Sequence, residues 1–429
     1  MNRIFPINSS RIISSVSAFG LCLILAACGG GGGGGSSSGG GSSGGGGGLV
    51  VTGNTANISV DSNVFGAVNA PFVSVTICST SDTSTCMTID HILLDSGSDG
   101  LRIFAQPQTT AALSTLNLTP QTAGGDPIGE CAQFVQGNTW GPIRFANVQV
   151  GGEVANNVAI QVIGDTSFIA APSACTTNAT GPLMDTPSLF GANGVLGIGL
   201  GLQDCGPGCE AAGYGYYFSC PSSGCTEIGM PLANQLQNTV SLFASNNNGV
   251  IISLNSVPAG GAVSATGTLT FGIDTASNNV SANTNTILVN DYGAFTTTFE
   301  GQTYTNSYID SGSNGIYFNP PTNQPITFCT GSGDIVYFYC PVTTLSLTGQ
   351  ISGLTGSTAA ATVNFNIANT SGLFASNNAV FNDLSGNATD LSSSQLTFDW
   401  GLPFFLGQNV YVAFEGAQTT KGTGPYFGF

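Results

Sequence analysis

Two stretches of this chain share one design. "HILLDSGSDGLRIF" (residues 91–104) and "SYIDSGSNGIYF" (residues 307–318) each bring an apolar run to one aspartate. Each then bends at once through Ser-Gly-Ser and leaves as a second apolar run. Asp95 and Asp310 occupy matching places 215 residues apart (310 minus 95). Duplication at that distance predicts two equivalent halves, each presenting one aspartate on a tight turn at the end of a strand.

Three chemistries use an aspartate in such a loop. A calcium loop of the EF-hand kind shares the glycine at Gly100, but it needs side-chain oxygens where this chain has Gly97 and Gln106, and Pro321 in the second copy. A serine hydrolase needs a base and an orienting acid; His91 is the one histidine, lies on the strand before Asp95, and reads as structural or solvent-facing. A carboxylate dyad fits better. Two aspartates brought close cannot both ionise cheaply, so they share a proton and act on one water as base and acid. Gly97 and Gly312 let the backbone bend where a side chain would clash. The hydroxyls of Ser96, Ser98, Ser311 and Ser313 are positioned to fix backbone and carboxylates.

At this point the chain resembles the pepsin-like aspartic proteases, in which each lobe gives one D-[ST]-G-[ST] loop. The likeness implies that Asp95 and Asp310 are the catalytic pair, that Ser96 and Ser311 interlock the loops, and that Ser98 and Ser313 bond the carboxylates. "FVQGNTWGPIRFANVQVGG" (134–152) resembles the flap hairpin and the strand after it, which makes Phe134, Gly137 and Trp140 flap or substrate-binding residues by likeness. "NGVLGIGLG" (193–201) resembles the strand behind the first catalytic loop, "TLTFGID" (268–274) the strand closing the first lobe, and "WGLPFFLGQNVYVAFEG" (400–416) the last turn and strand of the second. The ending also looks like a branch of bacterial exported lipoproteins. Two departures stand out. The flap tyrosine of the family aligns with Phe134, which has no hydroxyl, and the tryptophan that partners it aligns with Arg102. Asp99 adds an acid beside the first motif, and burial there would raise the dyad's pKa values.

Strand signals dominate the remainder. "FVSVTI", "IRFANVQV", "NNVAIQVI", "TLTFGI", "TTTFEG" and "VYVAF" are β-branched or aromatic runs set between Gly, Asn, Pro and Ser. The best helical candidate is residues 231–238. The expected fold is therefore all-β and bilobal, of the pepsin-like acid protease kind, with two pseudo-symmetric β-lobes and a central cleft. The first lobe is expected at 49–275 and the second at 276–429.

The N-terminus reads as an address. Arg3 and Arg11 precede an apolar run at 12–27, too short for a membrane span of about 20 residues. It ends in "LAAC", which resembles the bacterial lipobox and predicts cleavage after residue 27 with acylation of Cys28. Gly29 beyond it implies the outer membrane, facing periplasm or cell surface. Residues 29–48 are glycine and serine alone. They form a tether with a span of roughly 25 Å. No long inhibitory prosegment is expected between it and the first strand.

Beyond the tether only Arg102, Arg144 and Lys421 oppose all 22 acidic residues, a balance of −19 (3 minus 22). Nucleic acid and anionic lipid need counter-charges that such a body lacks, so membrane contact is expected only through the lipid anchor. Ten cysteines follow the tether, an even count that in an exported protein reads as disulfides. Cys78 with Cys86 and Cys329 with Cys340 are close enough to staple hairpins, while the order within Cys205–Cys225 stays open between nested and sequential. Neither metal nor cofactor is assigned. The functional expectation is a monomeric, envelope-anchored aspartic endopeptidase acting on peptide or unfolded protein. The alternative is a weak or inactive lipoprotein of the same scaffold that binds a peptide or glycan in its cleft; a third is an adhesive surface protein.

Overall fold

The computed structural model describes residues 53–62, 65–176, 181–281, 284–358, 360–388 and 396–429. The signal, Cys28 and the tether lie outside them. Among the described residues the chain is β throughout, with helices of five residues or fewer. The candidate helix at 231–238 is instead a 3₁₀ turn at Leu232–Asn234 followed by a second at Thr239–Leu242. Asn238 explains the break. Its side chain caps the second turn by accepting from the Val240 amide, and its own amide group donates to Asp99 and to the Gly199 carbonyl. A cap ends one element and begins another, so the backbone cannot run through it as one helix.

Each half repeats one arrangement around its Asp-Ser-Gly-Ser loop. In the first, Cys86–Asp95 enters the loop and Asp99–Phe104 leaves it. Gly194–Ile198 is threaded between them, parallel to the first and antiparallel to the second, with Gly197 opposite Asp95. In the second, Gln302–Ile309 enters and Ile316–Phe318 leaves, and Thr397–Trp400 is threaded between them in the same senses. The alternation of buried and exposed positions is weak in these strands because both faces are covered: all six residues of Asp99–Phe104 are buried.

The halves join through one antiparallel sheet. Its order is Thr55–Val60, Ala265–Phe271, Gly249–Leu254, Asn409–Ala413, Tyr426–Gly428 and Thr286–Leu288, three strands from each side of the duplication. The central pairing sets Ile251 opposite Tyr411. A long hairpin, Asp126–Phe134 with Gly137–Val150, projects from the first half with its two-residue tip at Val135 and Gln136. The main apolar core runs without a break from Ile58 and Val75 in the first half through Val250 and Val412 to Phe318 and Trp400 in the second.

Five disulfides lie within single halves: Cys78–Cys86, Cys131–Cys175, Cys205–Cys209, Cys220–Cys225 and Cys329–Cys340. The cluster left open by spacing is sequential, and the two expected hairpin staples are present. His91 is structural. It sits at a bulge opposite Val73–Val75 with φ +52°, flanked by Asp61 and Asp90 and packed on the ring of Phe72.

Candidate active site

The two loops meet tip to tip and lock each other by four hydrogen bonds. The Ser96 amide donates to Ser311 Oγ (3.0 Å) and the Ser311 amide to Ser96 Oγ (2.9 Å). Ser96 Oγ donates onward to the Ile309 carbonyl (3.1 Å), and Ser311 Oγ to the Leu94 carbonyl (2.8 Å). Each serine thus holds the strand that precedes the opposite aspartate. All four bonds are buried, where an unmade hydrogen bond costs far more than at a surface.

Within each loop the aspartate is held the same way. The Gly97 amide donates to Asp95 Oδ1 (2.9 Å), and the Gly312 amide to Asp310 Oδ1 (2.8 Å). Ser98 Oγ donates to Asp95 Oδ2, and Ser313 Oγ lies 3.0 Å from Asp310 Oδ2. The glycines are required by close approach rather than by an unusual backbone. A Cβ on Gly97 would lie 2.8 Å from the Asp310 carboxyl carbon, and one on Gly312 would lie 2.5 Å from Asp95 Oδ1. Each carboxyl group therefore rests over the glycine of the opposite loop.

Asp95 is 0% exposed and Asp310 is 1% exposed. Burial raises both pKa values, because it penalises the charged form. The two then diverge. Hydrogen bonds from Ser98, from Asp310 and from the Gly97 amide pull Asp95 back down, whereas the neighbouring charges of Asp95 and Asp399 push Asp310 further up. The two carboxyl groups titrate as one coupled pair.

Two further acids stand behind the loops. Asp99, buried and bonded by Asn238 (3.1 Å), is pushed up to about 8, chiefly by burial. Asp399, on the threaded strand of the second half, is also pushed up to about 8 by burial. Its Oδ2 lies 2.6 Å from Ser313 Oγ, the same hydroxyl that faces Asp310. One hydroxyl proton cannot serve two carboxylates, so at least one of the two acids carries a proton. The sequence reading passed over Asp399. Its signal was a polar residue at an apolar position, visible when "TFDWG" is set beside "GVLGIG" as the strand behind each loop.

Arg102 is fully buried. It donates to Glu130 Oε1 (2.6 Å), Asp204 Oδ2 (2.9 Å) and the Asp99 carbonyl (2.9 Å). Tyr217 completes the cluster by donating to Asp204 (2.5 Å). Burial, and then the Glu130 charge beside it, hold Asp204 well above the usual carboxylate range.

The three residues expected at a flap, Phe134, Gly137 and Trp140, pack into the first half. Phe134 ends its strand inside a cluster with Phe104 and Phe190. Gly137 is pressed against the Pro182 carbonyl and Met184. Trp140 packs on Phe168 and Phe218 beside the Cys131–Cys175 disulfide and donates to the Ile169 carbonyl (2.9 Å). Trp140 is therefore a core residue of the hairpin. A cavity of about 430 Å3 opens beside the dyad, walled by Gly97, Ser98 and Asp99 of the first loop, by Asp310, and by Leu200 and Tyr292, one from each half.

An all-β chain of two lobes, each giving one Asp-Ser-Gly-Ser loop to a common site, has the pepsin-like fold. The chain belongs to the family described as "Protein of unknown function (DUF3443)", whose model matches residues 50–429. No curated protein matches it. Among solved structures it is similar to the aspartic proteinase from Irpex lacteus at 14% identity, over 87% of this chain and 96% of that one, with a TM-score of 0.45.

Proposed function

We propose that this protein is an aspartic-type peptidase, with Asp95 as base and Asp310 as acid. The observation that carries the reading is the reciprocal serine lock, which holds two carboxyl groups in one buried site beside an open cavity. Buried like-charged groups favour a single shared proton, and the asymmetry between the two aspartates supplies one acceptor and one donor. Asp95 would take a proton from a water held between the carboxyl groups as the water oxygen adds to the peptide carbonyl carbon. Asp310 would give its proton to that carbonyl oxygen. Collapse returns a hydroxyl proton of the gem-diol to Asp310 and breaks the C–N bond, the amine leaves with the proton held by Asp95, and one water is consumed per bond. Fixed hydrogen bonds make the geometry ready before substrate arrives.

The anchored location belongs to the same proposal. An acylated Cys28 and the tether at 29–48 would hold a monomeric body at the envelope, and the −19 balance (3 minus 22) beyond the tether keeps it off nucleic acid. One observation favours a second reading, a cleft that binds without turnover. The hairpin offers Phe134, buried and without a hydroxyl, where the aligned family position carries tyrosine.

The full chain is incubated with an unfolded protein between about pH 3 and about pH 7, where a coupled carboxyl pair titrates. Cleavage should be inhibited by pepstatin and fall by at least about 10³-fold in Asp95→Asn, the scale expected for losing a general base. The variant should melt with the parent. A folded parent that cuts nothing across the range, yet binds pepstatin, selects the binding reading.

A further inference from the structure

One flank of the dyad is open and the other is latched. The latch is Asn69, which is 0% exposed and holds φ +52°. Its amide donates to the Ala379 carbonyl (2.8 Å). Its side-chain nitrogen donates to the carbonyls of Asn314 (2.7 Å) and Phe381 (2.8 Å), and its side-chain oxygen accepts from the Phe381 amide (2.7 Å). Every partner belongs to the other half of the molecule, and Asn314 is the residue directly after the second Asp-Ser-Gly-Ser loop. Beside it Val68 and the hairpin tip residue Val135 pack on Tyr317, Phe338 and Phe381. The groove between the halves is thus crossed by chain from the first half, bonded and packed onto the second.

On the flank with the cavity the halves touch in its wall, where the Glu415 amide donates to the Leu200 carbonyl (2.8 Å). Successive residues of an extended chain rise about 3.3 Å, neighbouring strands lie about 4.8 Å apart and stacked sheets about 10 Å, so an extended residue fills roughly 160 Å3. The cavity of about 430 Å3 beside the dyad has room for a short length of such chain. A long chain held at its middle would need room on both sides of the scissile bond, and on the latched side it meets Asn69.

We propose that the groove accepts peptide by a chain end, so that the substrates of this site are free termini of peptides or unfolded proteins and the products include a short terminal piece. This narrows the endopeptidase expected from the sequence likeness to an end-acting one. It rests on the peptidase reading for the cut alone; entry of a terminus is a matter of the groove's shape. A chain end needs no opening of the latch, whereas an internal segment needs four hydrogen bonds and an apolar contact broken together.

The test compares one peptide as a free linear chain and as a backbone-closed ring. Entry is read by binding to full-length Asp310→Asn, and cutting by mass spectrometry of products from the parent. The linear peptide should bind at least about ten-fold more tightly than the ring, and the parent should release short terminal fragments from it while leaving the ring intact. Asn69→Gly suits the left-handed backbone and removes only the side-chain bonds, and it should gain cutting of the ring. Equal binding of ring and linear peptide, or cutting of the ring by the parent, overturns the proposal, as does binding of neither. Preferential binding of the linear peptide with no cutting of either leaves the end-entry inference standing and removes the hydrolytic reading. If Asn69→Gly does not fold, the comparison within the parent and Asp310→Asn still decides.

Discussion

Ser96 and Ser311 each satisfy one amide and one carbonyl of the partner loop, so removing one hydroxyl leaves two groups without their bonds. Ser311→Ala should cost about 1–3 kcal/mol, the penalty for an unsatisfied buried group. The second alanine, at Ser96, should cost clearly less in the double variant than alone, because the lock is already broken. Urea unfolding of the four-member cycle checks this, and additive losses would mean the two bonds act separately. The aspartates, serines and glycines of these loops are legible in sequence because a turn at a strand end is a local matter and the duplication marks it twice. Asp399 and Asn69 are not. Their roles come from partners 86 residues away (Ser313) and 245 to 312 residues away (Asn314 and Phe381), and nothing beside them in the chain signals those meetings.

At the scale of elements, the strand leaving the first loop, the near strand of the hairpin and the 204–217 segment are tied by the Arg102 cluster. A buried cation shared by two carboxylates contributes little net stability but is costly to break. Arg102→Met should lose about 3–5 kcal/mol, because Glu130 keeps its burial without its counter-charge and Asp204 loses a buried donor. Adding Glu130→Gln and Asp204→Asn should return much of it, as read from thermal melts of the single and triple variants. No rescue would mean that the guanidinium serves mainly through packing or through the Asp99 carbonyl. Sequence reading marked Arg102 as out of place beside a catalytic loop, but the acids that receive it lie at positions 130 and 204 on separate segments. Strands were well marked by their β-branched runs, whereas the 231–238 segment had apolar spacing for a helix and an asparagine whose capping role appears only against Asp99.

For the whole molecule, buried acids set the response to pH. Asp99 and Asp399 each rise to about 8 in the folded state, against about 3.9 in an unfolded chain. Their protonated forms favour folding, so the stability they give is fully present below about pH 4 and is lost as pH rises through about 8, at up to about 1.4 kcal/mol per unit for each group. Asp310 adds the same sign. Asp82, Asp165 and Asp274 are lowered by hydrogen bonds from neighbouring hydroxyls and amides and oppose this trend only in acid. The midpoint of urea unfolding should therefore be higher at pH 5 than at pH 8, and the double variant Asp99→Asn, Asp399→Asn should reduce the difference, leaving the share of Asp204 and the dyad. A parent whose midpoint does not change between those two values would contradict it.

The joining sheet bears on how such a chain can be made. Gly249–Leu254 has Ala265–Phe271 on one side from early on, but its other side is covered only by Asn409–Ala413. A chain emerging N-terminus first holds that strand edge bare through the synthesis of the entire second half, and bare edges invite pairing with other chains. A nick that removed Asn409–Ala413 would therefore do more harm than its length suggests, exposing a β edge in the half of the molecule it never touched.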